Sequence, residues 1–200
     1  MANLKEIRIR IGSVSSTMQI TSAMKMVSAA KLKKAQDAIT AMRPYSNKLS
    51  ELMQSFSGVS GGGSKSYTEN RKLNKVLVVA ISSNRGLCGA FNANIAKEAL
   101  VFKSNEKFRD SQIDFLTIGK KINDTLSKTE TIIQNDSEVF ENLNYENVGK
   151  IAEELMNRFI SNDYDHIEII YNSFKNAALT LRLILFIDIY LIVPFIASSI

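Results

Sequence analysis

Apolar residues recur every three or four positions through the first part of the chain, which is the spacing of a coiled-coil seam. The pattern predicts one helix over residues 3–57, about 80 Å long at 1.5 Å per residue. A domain of this size cannot bury so long a helix, so its seam must face a second helix or an enclosing protein. The predicted seam consists of Leu4, Ile7, Ile11, Val14, Met18, Leu32, Ala35, Ile39, Met42, Leu49, Leu52 and Phe56.

The apolar pattern is interrupted at three places along this first segment. In the stretch AMKMVSAAK, apolar and small residues cover most of the helix circumference, which indicates contact on several sides. Pro44 lies inside the helical pattern and removes one backbone hydrogen bond. After Phe56 the run GVSGGGSKSYTENR has no periodicity, so we predict a coiled-coil helix over residues 1–57 and a flexible linker over 58–72.

From Lys75 onward, short apolar runs alternate with amphipathic stretches. KVLVVAI is a continuous apolar run of the kind buried on both faces of a parallel sheet. DFLTIG, TETIIQN and HIEIIYNSF are the further candidate strands, and NANIAKEALVFK, KKINDTL and residues 145–161 are the helices between them. The alternation predicts an α/β domain over residues 73–178, with an open, mostly parallel, Rossmann-like sheet and flanking helices.

The last stretch, residues 179–200, is almost continuously apolar. From Leu183 it has 18 residues, the lower limit for a membrane-spanning helix. Asp188 and Pro194 both oppose such a helix. A sheet strand followed by an apolar tail is predicted equally well.

Composition and charge exclude several classes of protein. The chain has 200 residues, of which 45% are hydrophobic, with a single Cys and a single His. One Cys cannot form an internal disulfide, and these two residues nearly exclude a zinc site. Seven basic residues and one acidic residue up to position 36 give that segment a charge of +6, more than the whole chain's +5. Such a basic stripe suits nucleic acid, an anionic membrane, an acidic protein surface or plain solvent.

The glycine-containing loop NRGLCGAF lies between a predicted strand and a predicted helix, where open α/β sheets bind ligands. It matches neither the phosphate-binding P-loop nor the dinucleotide fingerprint. We therefore predict no nucleotide or other cofactor here, and Arg85 is instead placed to meet a carboxylate on another protein. We interpret Cys88 as a small packing residue and His166 as a surface residue, because no catalytic partner is near either in the sequence.

Three segments resemble one family. LKEIRIRIGSVSSTMQITSAMKMVSAAKLKKAQ, followed by RPYS, resembles the N-terminal helix of the γ subunit of F-type ATP synthase. SSNRGLCGAFN resembles that family's second signature, and IIYNSFKN resembles a later strand. The resemblance implies a non-catalytic rotor whose N-terminal helix pairs with a C-terminal helix inside the ring of α and β subunits. It further implies contacts with the ε subunit and the ring of c subunits, proton-coupled ATP synthesis, and a peripheral position on the cytoplasmic face of a bacterial inner membrane or its organellar equivalent.

The resemblance also assigns roles to particular residues. Met24 and Lys25 match the family's bearing region against β, and a loop matches the segment that faces the lower rim of the α/β ring. That loop consists of Arg85, Gly86, Leu87, Cys88 and Gly89.

We expect the resemblance to end near Ala178. The family continues into a C-terminal helix, whereas residues 179–200 contain no heptad pattern. We therefore expect the chain as written to be defective as a rotor, with a tail that arose from a shifted reading frame or an unrelated end. Two alternatives remain at this point: a basic helical adaptor that binds nucleic acid or anionic membrane, and a flavodoxin-like domain that binds a cofactor in the glycine loop.

Overall fold

The computed structural model of the chain describes residues 3–57, 71–176 and 179–186. The chain divides into two compact units, Met1–Tyr45 and Ser46–Ile200. The α-helices and β-strands within these ranges are α1 Leu4–Ser57, β1 Lys75–Ile81, α2 Phe91–Lys103, β2 Gln112–Ile118, α3 Lys120–Leu126, β3 Ile132–Asn135, α4 Tyr145–Ile160, β4 His166–Asn176 and β5 Leu179–Phe186.

Helix α1 confirms the predicted long N-terminal helix. It runs for 54 residues and continues through Pro44. Its side chains from position 3 to position 35 are all exposed. The predicted linker lies largely outside the described residues. At the linker's end, Arg71 donates to the Phe159 carbonyl oxygen at 2.7 Å and its guanidinium lies 4.3 Å from the centre of the Phe159 ring.

The second unit contains a five-stranded sheet in the order β3-β2-β1-β4-β5. The first four strands are parallel, and β5 pairs antiparallel with β4 at the edge. This confirms the predicted mostly parallel α/β sheet with flanking helices. Every residue of β1 after Lys75 is buried, as expected for a central strand covered on both faces.

Alternate side chains of the central strands supply two cores, one on each face of the sheet. On one face, Leu77 and Leu116 pack with Leu155 of α4. On the other, Val78 and Phe115 pack with Ile95 of α2. The helices therefore cover both faces, and the loops that follow the parallel strands meet at one edge.

The tail begins as a strand. Leu183 pairs with Tyr171 and Phe186 pairs with Glu168, so a membrane helix that starts at Leu183 is wrong for these residues. The remainder of the predicted tail, 187–200, lies outside the described residues. Across the ranges that are described, each helix is too short or too polar to cross a membrane.

Candidate partner-binding surfaces

The N-terminal part of the predicted seam, from Leu4 to Met18, is an exposed apolar surface. Leu4, Ile11 and Met18 are each about two-thirds exposed, at 67%, 64% and 65%. Ile7 and Val14 lie between them, and Arg10 and Ser15 lie beside the same row. An apolar stripe of this kind on a helix is characteristic of a surface that another helix or protein covers.

Several hydroxyl groups on α1 donate to carbonyl oxygens of the same helix. Thr17 Oγ1 donates to the Ser13 carbonyl oxygen at 2.9 Å, and Thr21 Oγ1 donates to that of Thr17 at the same distance. Ser28 Oγ donates to the Met24 carbonyl oxygen at 2.8 Å. Because these donors already have acceptors, the small side chains need no polar partner on an approaching surface.

The described side chains in the C-terminal part of the seam, from Leu32 to Phe56, are less exposed than those in the N-terminal part. Ile39, Met42 and Leu49 are half-buried, whereas Leu32 and Leu52 remain exposed. Ala35 is also exposed, and the side chain of Phe56 is outside what the structure describes. The unpartnered apolar surface is therefore concentrated in the N-terminal half of α1.

Met24 and Lys25 lie on the fully exposed part of the helix. Met24 is 64% exposed, and Met26 and Val27 beside it are exposed as well. Apolar side chains thus point in several directions from this turn, as the sequence pattern indicated. The bearing role of Met24 and Lys25 stays a prediction.

The loop between β1 and α2 projects a leucine into solvent. Leu87 is fully exposed, and its φ of 61° lies in the left-handed region, which costs a non-glycine residue about 1–2 kcal/mol. Gly89 has the same φ of 61° without that cost, and Arg85 and Gly86 are exposed beside it. An apolar side chain held outward in a disfavoured conformation is the profile of a preformed contact. The sequence shows the leucine but not its exposure.

Cys88 is exposed and not a packing residue, so that interpretation is wrong. The loop turns outward after Leu87, and this turn leaves the thiol at the surface. There Cys88 Sγ accepts a hydrogen bond from Asn92 Nδ2 at 3.2 Å.

His166 is buried, so its interpretation as a surface residue is also wrong. It begins strand β4, next to the central strand β1. Its Nε2 lies 2.7 Å from Glu168 Oε2, and its ring centre lies 5.5 Å from that of Phe108. A second-next residue on a strand shares the same face, which is the signal in the sequence that could have identified this pair.

A second polar cluster on the other face was also missed. Asp114 is buried and accepts a hydrogen bond from the Tyr164 hydroxyl at 3.0 Å. Burial, together with that bond to Asp114, raises the pKa of Tyr164 to about 12. Nearby, burial raises the pKa of Asp136, against the hydrogen bond from Gln134. No group of acidic, His and Cys side chains suited to a metal ion occurs among the described residues.

A family model described as ATP synthase matches residues 3–182. The chain belongs to this ATP synthase family. The matched range contains α1, the whole parallel sheet and the first half of β5, and it ends four residues after Ala178. The basic adaptor and the flavodoxin-like domain gain no support from this match.

The relatives identify the branch of the ATP synthase family. The ATP synthase gamma chain of Flavobacterium psychrophilum is 62% identical over 179 residues, which cover 89% of this chain and 62% of that protein. The gamma chain of Geobacter sp. strain M21 is 41% identical and is covered to 61%. The resemblance to γ subunits is thus confirmed, and the chain spans less than two thirds of the length of the curated relatives it matches.

Solved structures share the fold. The central stalk and c-ring of Tetrahymena thermophila mitochondrial ATP synthase contains a chain with a TM-score of 0.66 at 20% identity, with 90% of each chain covered. The rotor of Euglena gracilis mitochondrial ATP synthase contains another, with a TM-score of 0.55 at 21% identity, which covers 89% of this chain and 60% of that one. At these identities the likeness shows the fold alone.

Proposed function

We propose that this chain carries the N-terminal helix and the α/β domain of the central-stalk rotor, the γ subunit, of an F-type ATP synthase. In this role it is a non-catalytic subunit that couples proton flow through the membrane ring to ATP synthesis in the α/β head by rotation. The proposal rests above all on the family match over residues 3–182. A helix of 54 residues whose side chains are all exposed up to position 35 gives it a physical basis, because a rotor shaft must present its side chains to surrounding subunits.

The mechanism follows from the unequal faces of α1. The seam from Leu4 to Met18 is apolar and suits a second helix, whereas Lys5 and Lys34, on the opposite side of the helix at 3.6 residues per turn, suit acidic loops of an enclosing ring. A shaft with different faces touches each catalytic β subunit differently. Each β site is therefore biased toward a different conformation, and rotation moves that bias from site to site.

The proposed partners are those that the resemblance to γ subunits implies. We assign the N-terminal half of α1 and the Leu87 loop as contacts with the α and β subunits. The α/β unit is assigned to the ε subunit and the ring of c subunits, which would hold the chain on the cytoplasmic face of a bacterial inner membrane.

The glycine loop is not proposed to bind nucleotide. Asn92, in the first turn of α2, accepts a hydrogen bond from the Ser83 backbone N–H at 3.1 Å and donates to the Arg85 carbonyl oxygen at 3.2 Å. Its side chain thus fills the inside of the loop, where a P-loop would hold a phosphate. Calorimetry with ATP, NAD and FMN should detect no binding in the low micromolar range.

Co-expression with the α and β subunits of a Flavobacterium ATP synthase tests the proposed function. We expect this chain to elute with the α/β head in size-exclusion chromatography at physiological salt. The full-length γ chain of the same organism is the positive control. Separate elution of a folded chain, under conditions in which the full-length γ chain co-elutes, would contradict the proposal.

A further inference from the structure

We propose that Asn92 and Asn84 are positioning residues that hold the Arg85–Gly89 loop in one conformation before its partner binds. The loop then presents Leu87 as a preformed apolar anchor. This inference rests on the proposed function, in which the loop meets the α/β head.

Asn92 closes the loop from inside. Its Oδ1 accepts from the Ser83 N–H at 3.1 Å, so it fixes the point where the chain leaves β1. Its Nδ2 lies 3.2 Å from both the Arg85 carbonyl oxygen and Cys88 Sγ, so it contacts the residues on either side of the tip. One half-buried amide thereby ties the start of α2 to both arms of the loop.

Asn84 ties the base of the loop to two neighbouring loops. Its Oδ1 accepts from the Lys120 N–H at 2.9 Å, directly after β2. Its Nδ2 donates to the Ser137 carbonyl oxygen at 2.9 Å, shortly after β3. The Lys121 N–H also donates to the Ser83 carbonyl oxygen at 3.3 Å. Three loops that follow three parallel strands are thus joined, and they form a fixed base for the tip.

The backbone conformation at the tip of the loop shows what these two amides stabilise. A leucine returns to an ordinary backbone conformation unless its surroundings hold it in the left-handed region. Leu87 is in that region and its side chain is fully exposed, so its own packing does not hold it there. The amides on both sides of the tip do, and a loop that is already ordered loses less conformational entropy when it binds.

Asparagine-to-aspartate substitutions separate positioning from volume. Asn92→Asp keeps an acceptor for the Ser83 N–H but loses the N–H donors to Arg85 and Cys88, and it brings a negative oxygen toward the Arg85 carbonyl. Asn84→Asp likewise keeps the acceptor for Lys120 and loses the donor to Ser137. Asn157→Asp, at an exposed position of α4, is the matched control for the change in charge.

The experiment uses the full chain and two measurements. Hydrogen–deuterium exchange on the chain alone should be faster in residues 83–92 of Asn92→Asp and Asn84→Asp, while exchange in β1 and β4 stays unchanged. Affinity for the α/β head should fall about tenfold if the binding-competent loop conformation falls to about a tenth of the population. Asn157→Asp should change neither.

A double-mutant cycle with Leu87→Ala distinguishes positioning from general destabilisation. Once the anchor is removed, its position no longer matters, so Asn92→Asp should have little further effect on affinity. Additive losses, or unchanged loop exchange in Asn92→Asp, would overturn the inference. If the unsubstituted chain is folded but does not bind the head, the proposed function fails, and loop exchange alone then decides whether the amides hold the loop.

Discussion

Helix α1 and the α/β unit use the same apolar residues in opposite ways. Leu116 in strand β2 is completely buried, whereas Leu4 at the start of α1 is 67% exposed. In the sheet, buried leucines stabilise the fold of this chain. On the helix, exposed leucines leave apolar surface that only another helix or subunit can cover. The length of the helical pattern already predicts that its apolar seam faces a partner, and the structure shows residue by residue which leucines remain exposed.

The largest difference in the free energy of unfolding should come from making the same Leu→Ala substitution in the two regions. Leu116→Ala should lower the free energy of unfolding of the α/β unit by about 2–5 kcal/mol, because it leaves a cavity in a packed core. Leu4→Ala should change it by less than about 0.5 kcal/mol, because its side chain is already in water. Urea unfolding followed by circular dichroism measures both, and similar losses for the two variants would remove the distinction.

A smaller effect is expected at Gly119, where the loops at the sheet edge meet. Its φ is 121°, and a Cβ there would clash with the Ser82 carbonyl oxygen. Gly119→Ala should therefore destabilise the α/β unit by about 1–3 kcal/mol. In Gly149→Ala the new methyl group would meet no atom within 4 Å beyond the adjacent residues and backbone of its own helix, so the better helix former should stabilise α4 by about 0.5–1 kcal/mol. Equal changes in melting temperature for both variants would show that the close contact at Ser82 is not limiting.

Much of the fold follows from patterns that are short in sequence. The run KVLVVAI coincides with β1, because a strand buried on both faces needs an unbroken apolar stretch. The candidate strand TETIIQN shortens to Ile132–Asn135, where the β2–β3 register shifts. The edge strand β5 was one of two alternatives, because its apolar run suits a strand or a membrane helix equally.

The errors in the site share one physical cause. The exposure of Cys88 depends on the left-handed turn at Leu87, and the burial of His166 depends on its position beside β1. The spacing of His166 and Glu168 places them on one strand face but does not show that this face is buried, and the residues around Cys88 carry no signal of its exposure. The loop itself was located correctly because its glycines mark a strand-to-helix turn.

Alkaline pH should weaken the α/β unit but not the exposed helix. Burial raises the pKa of Tyr164 and of Tyr171 to about 12 in the folded chain, from an ordinary value of 10. Between pH 10 and 12 the unfolded chain loses these protons first, so their contribution to stability is complete below pH 10 and is lost as the pH rises through 12. The double variant Tyr164→Phe, Tyr171→Phe should show a shallower loss of stability over this range. Tyr145→Phe, at an exposed position, is the control and should follow the unsubstituted chain.

The smallest effect on folding is expected at Met24, where a substitution should impair function much more than stability. Its side chain is 64% exposed, so Met24→Lys should leave the free energy of unfolding within about 0.5 kcal/mol. In a γ chain of full family length assembled with the head, the same lysine would lie against the enclosing sleeve, where an extra charge seeks a new partner. We expect assembly to persist while proton-driven ATP synthesis falls relative to ATP hydrolysis, measured in the same membrane vesicles. Met24→Leu keeps the apolar contact and should leave the ratio of synthesis to hydrolysis unchanged. An unchanged ratio in Met24→Lys would contradict the bearing role of this turn of the helix, because a charge placed in a contact with the α/β ring should disturb coupling.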